Sequence, residues 1–419
     1  MTSRTAAMAI FLEAIAALGL SLGVGCTRDL ARQKEYGLIV SMHMAAREGN
    51  VRRLEAFLAQ GIRVDAQDRC GRTALHLAAQ SGRLDAARFL LAHGADIKAP
   101  GPDGLTPLHW AATTGQLQVV KFLVDNGAGL VARSKAGLEP LHCAARMRHR
   151  RTVEYLLAKG AMQDIYSAAA MGELGAVRIF LEREPSLVNA PGPLGMQPLS
   201  WAACSGNRQL VEFLLDRRAD VNARSDAGFT ALQWAAWWRD VEVVRLLASK
   251  GVDIRAADED GQTALHWAAV GGSDHVVAFL LARGAEVNAR DKLGETPLHF
   301  AVRERHLALA RLLLANGADL NLRDGLGRTV LCSAAALGEG ALVRLLLDSG
   351  AEVNVADTYG STPLHLAALS GSTAIVRMLL NSGAGPEVED GEGRSPLEVA
   401  ERFSNEQAAG VLREWLAQQ

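Results

Sequence analysis

Apolar residues fall at helical spacing in short bursts along this chain, and polar turns part them at a fixed beat. In Val276-Val277-Ala278-Phe279-Leu280-Leu281 the valines and leucines share one helical face, which predicts a helix buried along one stripe. Ahead of it, Gly261-Gln262-Thr263-Ala264-Leu265-His266-Trp267-Ala268-Ala269 predicts a first helix. Thr263 is placed to cap free backbone N–H groups, and the paired alanines let a neighbouring helix come close. Pro107, Pro297 and Pro363 stand at the first helical position of their segments, where no intrahelical N–H bond is lost. Gly284 supplies a left-handed stop, and the polar stretch to the Asp291-x-x-Gly294 turn predicts a projecting finger.

The same unit returns with its turn glycine at 71, 104 and 137, then at 195, 228, 261, 294, 327, 360 and 393, a step of 33 residues within each run. Thr-Pro-Leu-His stands at 106–109, 296–299 and 362–365, and Thr-Ala-Leu-His at 73–76 and 263–266. Weaker copies keep the frame, as in Gln197-Pro198-Leu199-Ser200 and Thr329-Val330-Leu331-Cys332. These residues resemble the ankyrin repeat. The resemblance implies an all-α solenoid of about twelve stacked helix-turn-helix units with β-turn fingers, each unit burying its core only against its neighbours.

Both ends and one seam depart from the pattern. A copy beginning near Leu38 keeps His43-Met44-Ala45-Ala46 without the glycine phrase and reads as the N-terminal cap; the copy over 393–419, with Glu398 in the histidine position, reads as the opposite cap. Between Gly137 and Gly195 the segment Asp164–Ala170 reads as a first helix that follows Gly160 with almost no finger. The expected organisation is therefore a leader over 1–26, a first block of about four repeats over 27–163 and a second of about eight over 164–419.

Charge narrows the partners. With 44 Lys and Arg against 46 Asp and Glu, the formal net charge of −2 offers no bulk attraction to nucleic acid. Abundant alanine and an excess of arginine over lysine suggest a bacterial source. The leader pairs Arg4 with an apolar stretch over 6–25 and ends at Cys26, as a lipoprotein signal does, with Cys26 the residue to be lipidated. Gly23 and Glu13 depart from that pattern. The reading is membrane anchoring through the N-terminus at the cell envelope; the alternative is a cytoplasmic protein with an uncleaved apolar helix. Cys70, Cys143, Cys204 and Cys332 lie in separate repeats, which argues against a disulfide framework.

His43, His76, His109, His142, His266, His299 and His365, seven of the eleven histidines, share one repeat position. Stacked equivalents stand one repeat apart, so they do not converge on a metal ion. The family resemblance implies that they tie turn to helix. Catalytic and cofactor motifs are absent from the sequence, and the expectation is a monomeric, non-catalytic chain without cofactor or metal.

Specificity then rests on the surface. The resemblance implies that a protein partner binds the concave face, through finger tips and the residues following the Ala-Ala pair. Trp237 and Trp238 follow Ala235-Ala236, Arg239 takes the place of the turn glycine, and Arg303 and Arg305 end another first helix. Finger positions hold Leu194, Met196, Phe229, Leu293, Leu326 and Tyr359. Large aromatic and arginine side chains of this kind anchor interfaces. Trp110, Trp201, Trp234, Trp267 and Phe300 are instead expected as a half-buried packing stripe between first helices. The run Arg146-Met147-Arg148-His149-Arg150-Arg151 reads as a solvated turn. Two other functions share the architecture: a regulatory or inhibitory subunit of a partner enzyme, and a receptor for a small molecule or lipid headgroup in the groove near the seam.

Overall fold

A threonine opens each well-formed repeat, and its surroundings explain the architecture. In the computed structural model, which describes residues 30–101 and 103–418, Thr73 takes an extended backbone and caps the helix Ala74–Gln80. The Thr73 N–H donates to His76 Nδ1 at 3.1 Å, so Nε2 carries the ring proton and donates to the Leu105 carbonyl, 3.0 Å away in the next finger. One imidazole therefore closes its own helix terminus and fastens the following repeat. The same bonds recur through His109 to Leu138 and His365 to Arg394.

Among the described residues there are 24 α-helices in twelve pairs and no strand; one isolated antiparallel bridge joins Ala257 to Thr263. The chain divides into two compact units. One ends at Ala227 and holds six pairs, from Leu30–Glu48 with Val51–Ala59 to Pro198–Ser205 with Arg208–Asp216; the other starts at Gly228 and holds six, from Ala231–Trp237 with Val241–Ser249 to Pro396–Arg402 with Glu406–Leu416. The expected all-α repeat solenoid is thus the observed architecture. First helices are buried nearly all round, as in Ala74 to Ala79, whereas second helices bury one stripe, as in Val276, Val277 and Leu280. Leu75, Leu108 and Leu141 in the first unit, and Leu232, Leu265, Leu298, Leu331 and Leu364 in the second, are buried at the same repeat position. Burial of each contributes about 1.5–3 kcal/mol.

The structure departs from the sequence reading in three places. The first helix starts at Leu30, ahead of the cap expected near Leu38. Trp110, Trp201, Trp234, Trp267 and Phe300 are buried, not half-buried. The basic run is not simply solvated: Arg146 is buried, Arg148 Nε donates to the Cys204 carbonyl at 2.6 Å and His149 Nε2 lies 3.0 Å from the Thr113 carbonyl. Residues 1–26, with Cys26, lie outside the described residues. Among the described residues no helix is long and apolar enough to cross a membrane.

At the seam, Arg150–Ala158 is followed directly by Ile165–Met171 with no finger between. The fingers nevertheless stay in register by passing over this pair: the Leu194 N–H donates to the Ala136 carbonyl at 2.9 Å, and the Asp226 N–H to the Leu194 carbonyl at 2.9 Å. Gly192 makes the passage feasible, since a Cβ there would lie 2.4 Å from the Tyr166 ring.

Candidate functional site

Six of the fingers are tied by an aspartate that caps its own turn, at Asp68, Asp258, Asp291, Asp324, Asp357 and Asp390. Asp324 Oδ1 accepts the N–H groups of Leu326 (2.8 Å) and Arg328 (2.9 Å), while Arg328 donates to Asp324 Oδ2. Asp68 with Arg72 and Asp390 with Arg394 repeat this arrangement. The tips are then linked one to the next. In the second unit the carbonyls of Asp260, Leu293, Leu326 and Tyr359 accept the N–H groups of Lys292, Gly325, Thr358 and Gly391 at 2.6–2.9 Å. A turn whose backbone is so occupied holds its tip side chain out to water. Leu293 is 66 % exposed, Leu326 41 % and Tyr359 65 %, at the same position of three successive fingers.

Three other finger residues are placed differently. Leu194 is half-buried, because its tip lies over the seam. Met196 and Phe229, expected as surface anchors, are 1 % and 7 % exposed and are corrected to packing residues. Each follows the tip glycine, where the chain folds back under the finger towards its first helix. Phe229 packs there at 5.3 Å from Trp234 and 5.0 Å from Trp267, ring centre to ring centre.

The turns between paired helices form a second row. Trp237 is half-buried, 5.6 Å from Trp234, 5.3 Å from Trp238 and 6.2 Å from Trp267, so part of its surface packs and part stays open. Trp238 is also half-buried and caps its helix. Arg239 is exposed and holds a left-handed backbone (φ 64°), as do Arg148 (58°) and Arg305 (62°), at a position that Gly272 and Gly371 occupy in other repeats. Such a conformation costs a side-chain-bearing residue about 1–2 kcal/mol. Of the two arginines expected beside these turns, Arg303 donates to Glu295 at 2.7 Å and Arg305 meets Glu339 at 3.1 Å, so both charges are met within the chain.

Two arginines that the sequence reading passed over lie among the fingers. Arg290 Nη2 donates to the Arg323 carbonyl at 2.7 Å, and Arg323 bonds the carbonyls of Gly327 and Ala356. They line a cleft of about 650 Å³ with Asn321, Asp324, Asp357 and Thr358. The available signal was their identical place in successive repeats, ahead of the turn aspartate.

Burial sets the titration of the tie points. It pushes the imidazoles of His76, His109 and His266 down to about 4, against the raising effect of their carbonyl hydrogen bonds, and it lowers His299 and His365 as well. Asp258 has Gln262 where the Asp68, Asp324 and Asp390 fingers place arginine. Burial lifts it to about 6 despite a 2.9 Å bond from the Trp267 indole N–H. At Asp324 burial acts in the same direction, but the N–H groups and guanidinium of Arg328 outweigh it and the carboxyl is lowered.

At the seam, His142 lacks a finger carbonyl and its Nε2 lies 2.8 Å from Asp164 Oδ2 instead. A cavity of about 360 Å³ opens there, lined by Arg133, Lys135, Glu139, His142, Asp164 and Tyr166 among others. Cys143, Cys204 and Cys332 are buried, and burial pushes the thiols of Cys143 and Cys332 up, away from reactivity. Among the described residues no three His, Cys, Asp or Glu side chains are grouped to hold a metal ion.

Family models for ankyrin repeats match residues 42–91, 98–167, 165–258, 250–324 and 331–415. No curated protein matches the chain. A match over most of the length, on a structure of paired helices fastened by threonine, histidine and finger carbonyl, shows that this chain belongs to the ankyrin-repeat family.

Proposed function

We propose that this chain is a non-catalytic scaffold that binds a partner protein through the finger tips and helix-connecting turns of the unit starting at Gly228. Ankyrin repeats are in general protein–protein interaction modules, which supports the class of function. The observation that carries the choice of surface is the recurrence of Leu293, Leu326 and Tyr359, each well exposed, on three consecutive tips. Other exposed apolar side chains, such as Val131, Met162, Ile179 and Phe403, do not share a repeat position in this way. A row of apolar groups on a rigid backbone marks an interaction surface, because folding gains nothing from leaving them in water. Trp237, Trp238 and Arg239 extend the surface with side chains suited to anchoring.

The test compares the intact chain with a variant carrying Leu293→Ser, Leu326→Ser and Tyr359→Ser. Thermal melting is expected to stay within a few degrees, since the three side chains contribute little buried area, while proteins captured specifically by the parent chain are lost. Equal capture by both proteins at equal stability overturns the choice of surface.

A further inference from the structure

We propose that the cleft beside the tips of Leu293, Leu326 and Tyr359 seats an acidic, extended segment of the partner, whose carboxylates meet Arg290 and Arg323 and whose apolar side chains cover the tips. The inference deepens the proposed function and rests on its choice of surface.

The two arginines differ from their neighbours in what they bind. Arg328 meets Asp324 at 2.8 Å, Arg303 meets Glu295 at 2.7 Å and Arg305 meets Glu339 at 3.1 Å, so these guanidiniums are neutralised inside the chain. Arg290 and Arg323 are held by neutral acceptors, the carbonyls of Arg323, Gly327 and Ala356, and among the described residues neither has a carboxylate at ion-pair distance. A carbonyl orients a guanidinium without cancelling its charge. The remaining N–H donors of each fork are thus fixed in direction, which reduces the side-chain entropy lost on binding an anion.

The other charges at the cleft do not reverse this balance. Asp324 is neutralised by Arg328, and Asp357 has Oδ1 committed to the N–H groups of Tyr359 and Ser361. Lys292, next to the Leu293 tip, is exposed and adds positive charge. The occupant is a polypeptide segment because apolar tips adjoin the charged cleft: Leu326 lies between its lining residues Gly325 and Gly327, and Tyr359 follows its lining residue Thr358. A free phosphate would leave those tips in water. A cleft of about 650 Å³ accommodates a few extended residues.

Fluorescence anisotropy on the full chain tests the assignment. The probe is a labelled peptide alternating leucine with glutamate; its counterpart carries lysine in place of glutamate, and inorganic phosphate serves as competitor. The acidic peptide is expected to bind at least tenfold more tightly than the basic one, with affinity falling as salt rises. Arg290→Gln with Arg323→Gln is expected to weaken it about tenfold, the effect of two partly exposed charge contacts. Arg290→Lys with Arg323→Lys keeps the charge but loses the carbonyl-held fork, and is expected to bind between the parent and the glutamine pair, whereas a purely structural role for the guanidiniums would make both pairs equally weak. Equal binding of the two peptides, or full displacement by phosphate, overturns the acidic-segment assignment. If partner capture is still lost in the triple tip variant, the docking surface survives that failure; if capture persists there, the surface itself is wrong.

Discussion

At the residue scale, the repeated histidine is both a fastener and a source of acid sensitivity. The Thr73 N–H needs an unprotonated Nδ1 on His76, so charging the ring breaks a bond as well as burying a cation. For His76, His109 and His266 the folded pKa of about 4 lies below the reference value of 6.5. The unfolded chain therefore binds protons first, and stability falls as pH drops from 6.5 towards 4, by on the order of 3 kcal/mol for each such histidine. Asp258, raised to about 6, acts in the opposite sense, losing its contribution as pH rises from 3.8 through 6; three histidines outweigh it. The chain itself contains the control. Gln233 stands in the histidine position, accepting the Thr230 N–H at 2.7 Å and donating to the Gln262 carbonyl at 2.8 Å, without a titratable group. His76→Gln with His266→Gln is thus expected to keep near-parental stability at pH 7 and to flatten its loss between pH 6.5 and 4.5, as read by urea midpoints. An unchanged pH slope would remove histidine from the account. The histidine position was legible because its letter repeats. Arg290 and Arg323 were not singled out, because a carbonyl partner in the next finger leaves no complementary charge in the sequence.

At the scale of the element, cap residues, alanine pairs and stop glycines located the helical hairpins, since each is a local requirement of helix geometry. Burial of a loop residue is not local. Met196 and Phe229 looked like tip residues on spacing alone, but the chain folds back after each tip glycine, and only the packed first helices reveal what lies beneath. The seam shows both sides of this. The missing finger was visible as a shortened interval, whereas the Leu194-to-Ala136 bond that carries the finger row across it depends on a contact between distant segments. The helix-to-helix turn also holds a conflict between local comfort and surface chemistry, with Arg239 left-handed where glycine serves in other repeats. Arg239→Gly is expected to relieve that strain and stabilise the chain by about 0.5–1 kcal/mol, the gain being trimmed by the freedom glycine adds to the unfolded state. If Arg239 contacts the partner, the same change weakens capture. Greater stability with reduced capture would mark the strain as retained for binding; a loss of stability would show that the arginine side chain has a structural task.

At the scale of the whole molecule, stability is a sum of neighbouring terms rather than the property of one core. Within each unit a first helix packs on the first helices next to it, and residues far apart in sequence meet mainly across one repeat. A cavity therefore weakens the pairs that line it and is felt less with distance along the row. Leu280 is fully buried in the unit that starts at Gly228, and Leu280→Ala is expected to cost about 2–5 kcal/mol there. Hydrogen exchange followed by mass spectrometry should show faster exchange concentrated in the helices of residues 228–419, with those of residues 30–227 close to their parental rates. Equal loss of protection in both units would mean that the chain unfolds as one cooperative body, so that a change in one unit is felt in the other. Confined loss would instead explain how the sequence of individual tips and turns can vary from repeat to repeat: each change is borne by its neighbours alone, so the surface can be altered one residue at a time while the remaining pairs stay folded.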